Sequence, residues 1–155
     1  DEDASVREIA VAFLSSDAGA ELSWDAMEST LDSVNRPDAE RAQLWYDIGD
    51  VSRPFQLLAW ADSVVQAWKL EPKNPSWVSE VLEVLIYELG DYVQAVRLVE
   101  GEFPGHPALD VSIATNETKR RLRQNLSNQS ESIVDQLPDD QRVARERLLA
   151  ILETE

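Results

Sequence analysis

Cysteine is absent from the sequence, and histidine occurs only once, at His106. Without thiols the chain can form no disulfide and has no cysteine nucleophile. Cysteine usage therefore does not indicate whether the protein works in a reducing or an oxidising compartment. With one histidine and no cysteine it also lacks the soft ligands of zinc and copper sites, so we expect no metal site and no cofactor. No phosphate-binding loop, dinucleotide fingerprint or nucleophile elbow occurs either.

Glycine is scarce, with five in 155 residues, and few runs alternate between apolar and polar residues. Both features favour an all-α fold. No apolar run approaches the roughly 18 residues of a membrane span, and no signal peptide is recognisable, so we expect a soluble protein. The chain opens with Asp1 instead of methionine, which fits an end made by processing or one chosen for expression. Its localisation therefore stays open between the cytoplasm and export, for example to the periplasm.

Basic residues are outnumbered, with 14 Lys and Arg against 30 Asp and Glu, for a net charge of −16. Nucleic acids and anionic membranes attract basic surfaces, so neither is an expected partner. The charge favours a partner that is basic at the contact, although a solvated acidic surface or a salt-adapted proteome would give the same composition. The densest positive charge, at 119–123, is interpreted as a solvated face that pairs with acidic neighbours.

Helix-start and helix-stop signals organise the middle of the chain. Asn74 followed by Pro75 is typical of a helix start, with Asn as the cap and Pro at the first helical position. Gly90 separates two amphipathic stretches, Trp77–Leu89 and Tyr92–Val99, and indicates a tight turn because glycine adopts positive φ without a Cβ penalty. We therefore predict two helices joined by a short turn.

A helix pair of this kind recurs along the chain. Pro37, Pro72 and Pro107 are each 35 residues apart, and Ala61 and Ala95 are 34 apart. Three copies match at the 34-residue offset at Ala10/Leu44/Val78, Leu14/Ile48/Leu82, Trp24/Leu58/Tyr92 and Leu31/Val65/Val99, and the last two copies also match at Val51/Leu85 and Val64/Leu98. They keep helical spacing, which is typical of stacked helical repeats. An unrelated helical bundle with chance periodicity is the alternative.

Residues 38–107 resemble the tetratricopeptide repeat. Trp45, Ile48 and Gly49 are similar to the aromatic, apolar and glycine signature of its first helix, and Ala61 fits the small residue of its second. Glu83, which matches Gly49 in the next copy, departs from the pattern. The resemblance implies that the second helix packs against the bare backbone at Gly49; otherwise the first helix simply ends there.

The resemblance implies an all-α, right-handed α-solenoid of helix–turn–helix repeats in a single domain, residues 1–155. Its parts would be a degenerate repeat at 4–36, a repeat at 38–72, the best-defined repeat at 75–107 and C-terminal capping helices at 108–155. In the capping segment we expect Asp110 to start a helix that runs through Ile113, Leu122 and Leu126. A last helix should start at Pro138, and its apolar positions are Val143, Leu148, Leu149, Ile151 and Leu152.

Tetratricopeptide arrays bind a partner segment in a groove lined by their first helices, and the resemblance transfers that groove to particular positions. The predicted binding residues are Tyr46, Asp50, Trp77, Glu80, Val84 and Tyr87. Of these, Trp77, Val84 and Tyr87 form an apolar stripe at helical spacing. Lys and Asn residues, with which some members hold a C-terminal carboxylate, are missing from these positions. Aromatic and acidic side chains suit an apolar segment flanked by Lys or Arg.

We therefore expect a non-enzymatic protein–protein interaction module, such as an adaptor, assembly factor or scaffold. The alternative is a structural subunit of a larger complex whose apolar patches are permanently covered. Trp60 and Trp68, in the most apolar helix, are interpreted as core residues or as a second docking patch. An enzyme that works through carboxylates is disfavoured, because 30 acidic residues single out no pair.

The repeat hypothesis predicts that Ala95 lies where two helices cross closely. Ala95→Leu should then overpack the crossing and lower the free energy of unfolding by about 1–3 kcal/mol. Chemical denaturation of the two proteins measures the difference, and an unchanged stability would place Ala95 away from any crossing.

Overall fold

The computed structural model of the chain describes residues 37–52 and 57–153. Every regular element in these ranges is helical and no strand occurs in them, so the prediction of an all-α fold is confirmed there. The degenerate repeat proposed at 4–36 lies outside the described residues. The chain forms two compact units, residues 1–71 and 72–155, with the boundary at the proline-rich stop after Leu70. The expectation of a single domain stays a prediction.

The helices are divided between the two units. The described part of the first unit contains α1 (Asp38–Ser52) and α2 (Leu57–Leu70). The second unit contains α3 (Pro75–Leu82), which continues directly as a π-helical segment (Glu83–Glu88), then α4 (Tyr92–Val99), a 3₁₀ turn (Val111–Ile113), α5 (Asn116–Ser127), α6 (Glu131–Asp135) and α7 (Asp139–Glu153).

In the first unit α1 and α2 pack against each other. The apolar positions predicted for α1, Leu44, Trp45 and Ile48, are buried. Trp60 and Trp68 of α2 are buried as well, so their interpretation as core residues is confirmed and the docking patch is wrong. Burial of each large apolar side chain contributes roughly 1.5–3 kcal/mol to stability, and these residues form the core of the helix pair.

The two helices approach each other closely at Gly49. A Cβ atom at this position would lie 2.6 Å from Ser63 Oγ, 3.0 Å from Trp60 Cε3 and closer still to Ser63 Cβ. The alternative that the helix ends at Gly49 is wrong, because α1 continues to Ser52. As predicted, α2 packs against bare backbone here. One turn earlier, Tyr46 meets Trp60 edge to face, with ring centroids 5.1 Å apart.

Both signals predicted for the start of the second unit are confirmed. Asn74 caps α3, since its side-chain oxygen accepts a hydrogen bond from the Ser76 N–H at 3.0 Å, and Pro75 is the first helical residue. Gly90 has a φ of +62°, which allows the tight turn into α4. Asp91 then caps α4 through its carboxylate.

The helix predicted over Trp77–Leu89 is not α-helical throughout, because its second half is the π-helical segment. There the Leu89 N–H donates to the Val84 carbonyl, five residues earlier, at 3.0 Å. Three consecutive residues of this segment, Val84, Leu85 and Ile86, are buried. Trp77, Val78 and Ser79 of the α-helical part are buried too, so the stretch packs on more than one face and its 3.6-residue spacing marks no single buried side.

The expectation that Asp110 starts one long helix is wrong. Its side chain accepts from the Ser112 N–H at 3.1 Å and caps only the 3₁₀ turn. Thr115 caps α5 separately, with its Oγ1 accepting from the Thr118 N–H at 3.3 Å. Between the two caps Ala114 is extended, with a ψ of 152°, so helical hydrogen bonding cannot run through it.

Helix α7 packs against both α4 and α5. Of its predicted apolar positions Leu148 and Leu152 are buried, and Leu149 and Ile151 are half-buried. Val143 is 71% exposed, since it lies five residues from Leu148 and on another face of the helix. Gln141 of α7 also accepts a hydrogen bond from the Tyr92 N–H at 2.9 Å and so ties the start of α4 to α7. A role for this segment as the cap of a solenoid stays a prediction.

Replacement of Gly49 by alanine tests the close approach. Alanine favours a helix over glycine by roughly 1 kcal/mol, yet the added Cβ collides with Ser63. We expect Gly49→Ala to lower the free energy of unfolding by about 1–3 kcal/mol, measured by urea denaturation. Asp50→Ala, at the exposed neighbouring position, is the control and should change it by less than about 0.5 kcal/mol.

A double-mutant cycle makes the test specific. Ser63→Gly removes the two atoms closest to the new Cβ of Gly49→Ala and leaves Trp60 in place. The two changes together should therefore cost less than their sum by at least about 0.5 kcal/mol. Additive costs, or a Gly49→Ala variant that is more stable than the parent, would contradict the packing at this crossing.

Candidate functional site

Two of the six predicted binding residues, Tyr46 and Asp50, lie on α1 in the first unit. They are four residues apart and therefore share one face of the helix. Tyr46 is half-buried against Trp60, and Asp50 is exposed. The Asp50 carboxylate is therefore accessible to a partner, whereas the Tyr46 ring is already partly covered by Trp60.

The other four lie on α3 and the π-helical segment, and they differ sharply in exposure. Trp77 and Val84 are only 7% and 2% exposed, Glu80 is half-buried, and Tyr87 is 62% exposed. This corrects the expectation of an open stripe, because two of its three members are core residues. The π-helical turn carries Tyr87 away from the face that Val84 occupies, so Tyr87 alone presents an aromatic ring to a partner.

Tyr87 borders a groove between the π-helical segment and α5, which we call the Tyr87 groove. Its volume is about 390 Å³, within the usual range of ligand pockets, about 300–1,000 Å³. Its lining residues are Glu83, Tyr87 and Glu88 on one wall and Arg121, Leu122, Gln124 and Asn125 on the other. The sequence analysis predicted Tyr87 as a binding residue but named none of the α5 residues that line the groove.

Polar contacts hold the two walls of the groove together. Ser79 Oγ accepts from the Thr115 N–H at 3.0 Å, and Thr118 Oγ1 donates to Glu83 Oε1 at 3.3 Å. The Arg121 guanidinium forms an ion pair with the same carboxylate. These two side chains are 53% and 29% exposed, so the pair contributes about 1 kcal/mol or less. Its main effect is to fix the position of the Glu83 carboxylate in the groove.

The basic residues at 119–123 do not form a basic surface patch. Arg121 is paired with Glu83, as predicted for this segment, and Arg123 donates to the Leu152 carbonyl at 3.0 Å. Lys119 is only 3% exposed. Arg120 is exposed and donates to Gln124 Oε1 at 3.3 Å. The expectation of a solvated face is therefore wrong for Lys119 and holds for Arg120 and Arg121.

Lys119 lines a second cavity, which we call the Lys119 cavity and which the sequence analysis missed. Its volume is about 530 Å³. Its lining residues are Lys73, Val99, Ala108, Leu109, Asp110, Val111, Ser112, Lys119 and Ile151. A signal was present in the sequence, because Lys119 lies three residues before Leu122 and seven before Leu126. This spacing puts it on the same face of α5 as two buried leucines.

At the edge of this cavity, the Asp110 carboxylate accepts hydrogen bonds from the Ser112 hydroxyl at 2.6 Å and from the Ser112 N–H at 3.1 Å. The bond from the hydroxyl does most to lower the pKa of Asp110 below its ordinary value. The bond from the N–H and the charge of Lys73 act in the same direction, and partial desolvation opposes them. Asp110 is therefore held in its charged form.

Among the described residues, no three acidic or histidine side chains converge closely enough to hold a metal ion. No helix in the same ranges is long and apolar enough to cross a membrane. Comparison of the chain with protein-family models, curated proteins and solved structures found no match. The tetratricopeptide resemblance therefore stays a prediction, and the geometry of the chain itself carries the interpretation of the site.

The lowered pKa of Asp110 predicts a pH-dependent contribution to stability. The folded value lies below the unfolded one, about 3.9, so the contribution is complete above the unfolded pKa and is lost as the pH falls through the folded pKa. We expect Asp110→Asn to lower the free energy of unfolding at neutral pH, and the difference from the parent to shrink between about pH 5 and pH 2. Urea denaturation at each pH measures it.

Asp135→Asn provides the control, because it removes one exposed carboxylate at the end of α6 and leaves the Ser112 contacts in place. A difference between Asp110→Asn and the parent that stays constant down to the lowest pH would contradict the assignment.

Proposed function

We propose that this chain is a non-enzymatic protein–protein interaction module that binds an apolar peptide segment, flanked by Lys or Arg, in the Tyr87 groove. The observation that carries the proposal is the Tyr87 ring, 62% exposed beside a groove in which Glu83 and Glu88 outnumber Arg121. Exposed rings are effective anchors, because they bury a large area at a small cost in side-chain entropy.

The charge of the chain supports a basic partner. A net charge of −16 attracts positive segments from a distance and speeds their association. Within the groove, Arg121 and Thr118 hold the Glu83 carboxylate in place before binding. A fixed carboxylate pairs with an incoming Lys or Arg at a smaller entropic cost than a mobile one.

We also propose that α1 with α2, and α3 with the π-helical segment and α4, are two repeats of a right-handed α-solenoid similar to tetratricopeptide arrays. The close approach at Gly49 supports the first pair, since a small residue at the crossing is a feature of the resemblance. Ala61 and Ala95, which are 6% and 0% exposed, support equivalent packing positions in the two pairs. Segment 108–155 would then cap the array.

A structural subunit of a larger complex is the second candidate. Four exposed apolar side chains outside the Tyr87 groove favour it: Leu58 is 75% exposed, Val143 71%, Ile133 55% and Leu57 37%. In a fixed assembly neighbouring chains would cover them. Such a subunit would aggregate when isolated, whereas a module that binds reversibly would remain a stable monomer.

Display of random peptides tests the Tyr87 groove and requires no named partner. Selection on the full chain should enrich peptides with an aromatic or aliphatic residue between basic ones. For a synthetic copy of an enriched peptide, Tyr87→Ala should weaken binding by more than about 1 kcal/mol, or roughly fivefold in Kd. Tyr87→Phe keeps the ring and should retain most of the affinity.

Val143→Ala is the matched control, because it truncates another exposed apolar residue of the same unit that does not line the groove. Affinity should also fall as salt rises from about 0.05 to 0.5 M, since exposed charges are then screened. Unchanged binding by Tyr87→Ala would place the interface elsewhere. A selection that enriches no peptide would favour the structural subunit.

A further inference from the structure

Two side chains of α5 bind the same oxygen atom of Glu83 in the Tyr87 groove. Thr118 Oγ1 donates to Glu83 Oε1 at 3.3 Å, and Arg121 Nη2 donates to that atom as well. An ionised carboxylate has about two acceptor positions on each oxygen, so these two bonds use both positions of Oε1. Within the described residues 37–52 and 57–153, no hydrogen bond reaches Oε2 of Glu83. The atom left to accept a bond from a partner is therefore Oε2.

The Glu83 carboxylate is accessible from the groove. Its side chain is 29% exposed and lines the groove together with Tyr87, which follows four residues later in the π-helical segment. A turn of π-helix closes between residues i and i+5, so the two side chains lie on the same wall about one turn apart. A partner whose apolar residue packs on the Tyr87 ring thus brings an adjacent basic residue to Glu83.

Lysine and arginine bind a carboxylate in different ways. A guanidinium is a planar fork whose parallel N–H groups bond both carboxylate oxygens at once, whereas an ammonium is a compact point charge that needs only one. Because Arg121 and Thr118 already occupy Oε1 of Glu83, an incoming arginine has a single oxygen to bond. It would form its fork only by displacing Arg121, and this would exchange one guanidinium for another with little net gain.

An incoming lysine needs no such displacement. Its ammonium bonds Oε2 alone and keeps water on its remaining N–H groups, since the Glu83 side chain is partly exposed. The aliphatic stem of a lysine lies along apolar surface while its charged end stays near water. Tyr87 and Leu122 supply apolar surface in the groove, so the contacts around Glu83 favour lysine.

We propose that the Tyr87 groove selects lysine over arginine beside the apolar residue of its partner, and that Arg121 determines this specificity by occupying Glu83 Oε1. The inference rests on the proposed function, because it specifies the basic residue of the peptide that this groove binds. Arg121 acts through Glu83 and needs no contact with the partner. The preference therefore disappears when Arg121 is replaced, whereas loss of a charge elsewhere on α5 leaves it unchanged.

Two blocked peptides test the preference on the full chain. Acetyl-Gly-Lys-Phe-Leu-Lys-Gly-amide and its twin, with arginine in place of both lysines, carry the same charge and the same apolar core. Titration followed by nuclear magnetic resonance should give saturable shifts of the Glu83 and Tyr87 amide signals, with a Kd at least about threefold lower for the lysine peptide. Equal affinity, or tighter binding of the arginine peptide, would overturn the inference and leave the proposed function standing. Absence of saturable shifts with either peptide would overturn both.

Two charge-matched variants then identify the cause of the preference. Arg121→Met frees Oε1 and lets an arginine form its fork, so the lysine preference should be lost or reversed, although both peptides are relieved of a repelling cation. Arg120→Met removes the same charge one position away, from an exposed residue that does not line the groove, and should keep the parent's ratio of the two Kd values. A ratio in Arg121→Met equal to that of the parent, or one that Arg120→Met changes as much, would overturn the role of Arg121.

Discussion

Each short helix of the second unit depends on a hydrogen bond that a side chain supplies to its first turn. Helices of this length are marginal in water by themselves, because nucleation is costly and their first N–H groups have no partner inside the helix. Some caps also join elements: Asp91 accepts from Gln141 of α7, and Thr115 bonds Ser79 of α3. The capping residues are Asn74, Asp91, Asp110, Thr115 and Ser130.

Local signals explain what could be predicted from the sequence. The cap at Asn74 and the turn at Gly90 depend on the conformational preferences of one or two residues, so they can be recognised without tertiary information. Gly49 was informative for a different reason. A glycine inside a strongly helical pattern is unfavourable unless another chain segment needs the space, and Ser63 and Trp60 occupy that space.

The features that could not be predicted depend on competition between local structure and packing. The π-helical segment replaces an α-helix that the spacing of Trp77–Leu89 favoured, and it changes which residues face inward. Sequence spacing therefore identified Tyr87 as a binding residue together with Val84, which is buried. The helix predicted to start at Asp110 is divided at Ala114, because Asp110 and Thr115 both act as caps, each for a separate helical element.

Helix α5 connects the fold to both candidate sites. Its Arg121 is directed to Glu83 in the Tyr87 groove, its Lys119 lines the other cavity, and its Arg123 binds the carbonyl of Leu152. These three cations act within the second unit, whereas Arg120 of α5 is exposed and donates to the neutral Gln124 side chain. The exterior therefore keeps its negative excess, and that excess would attract a basic partner to the groove.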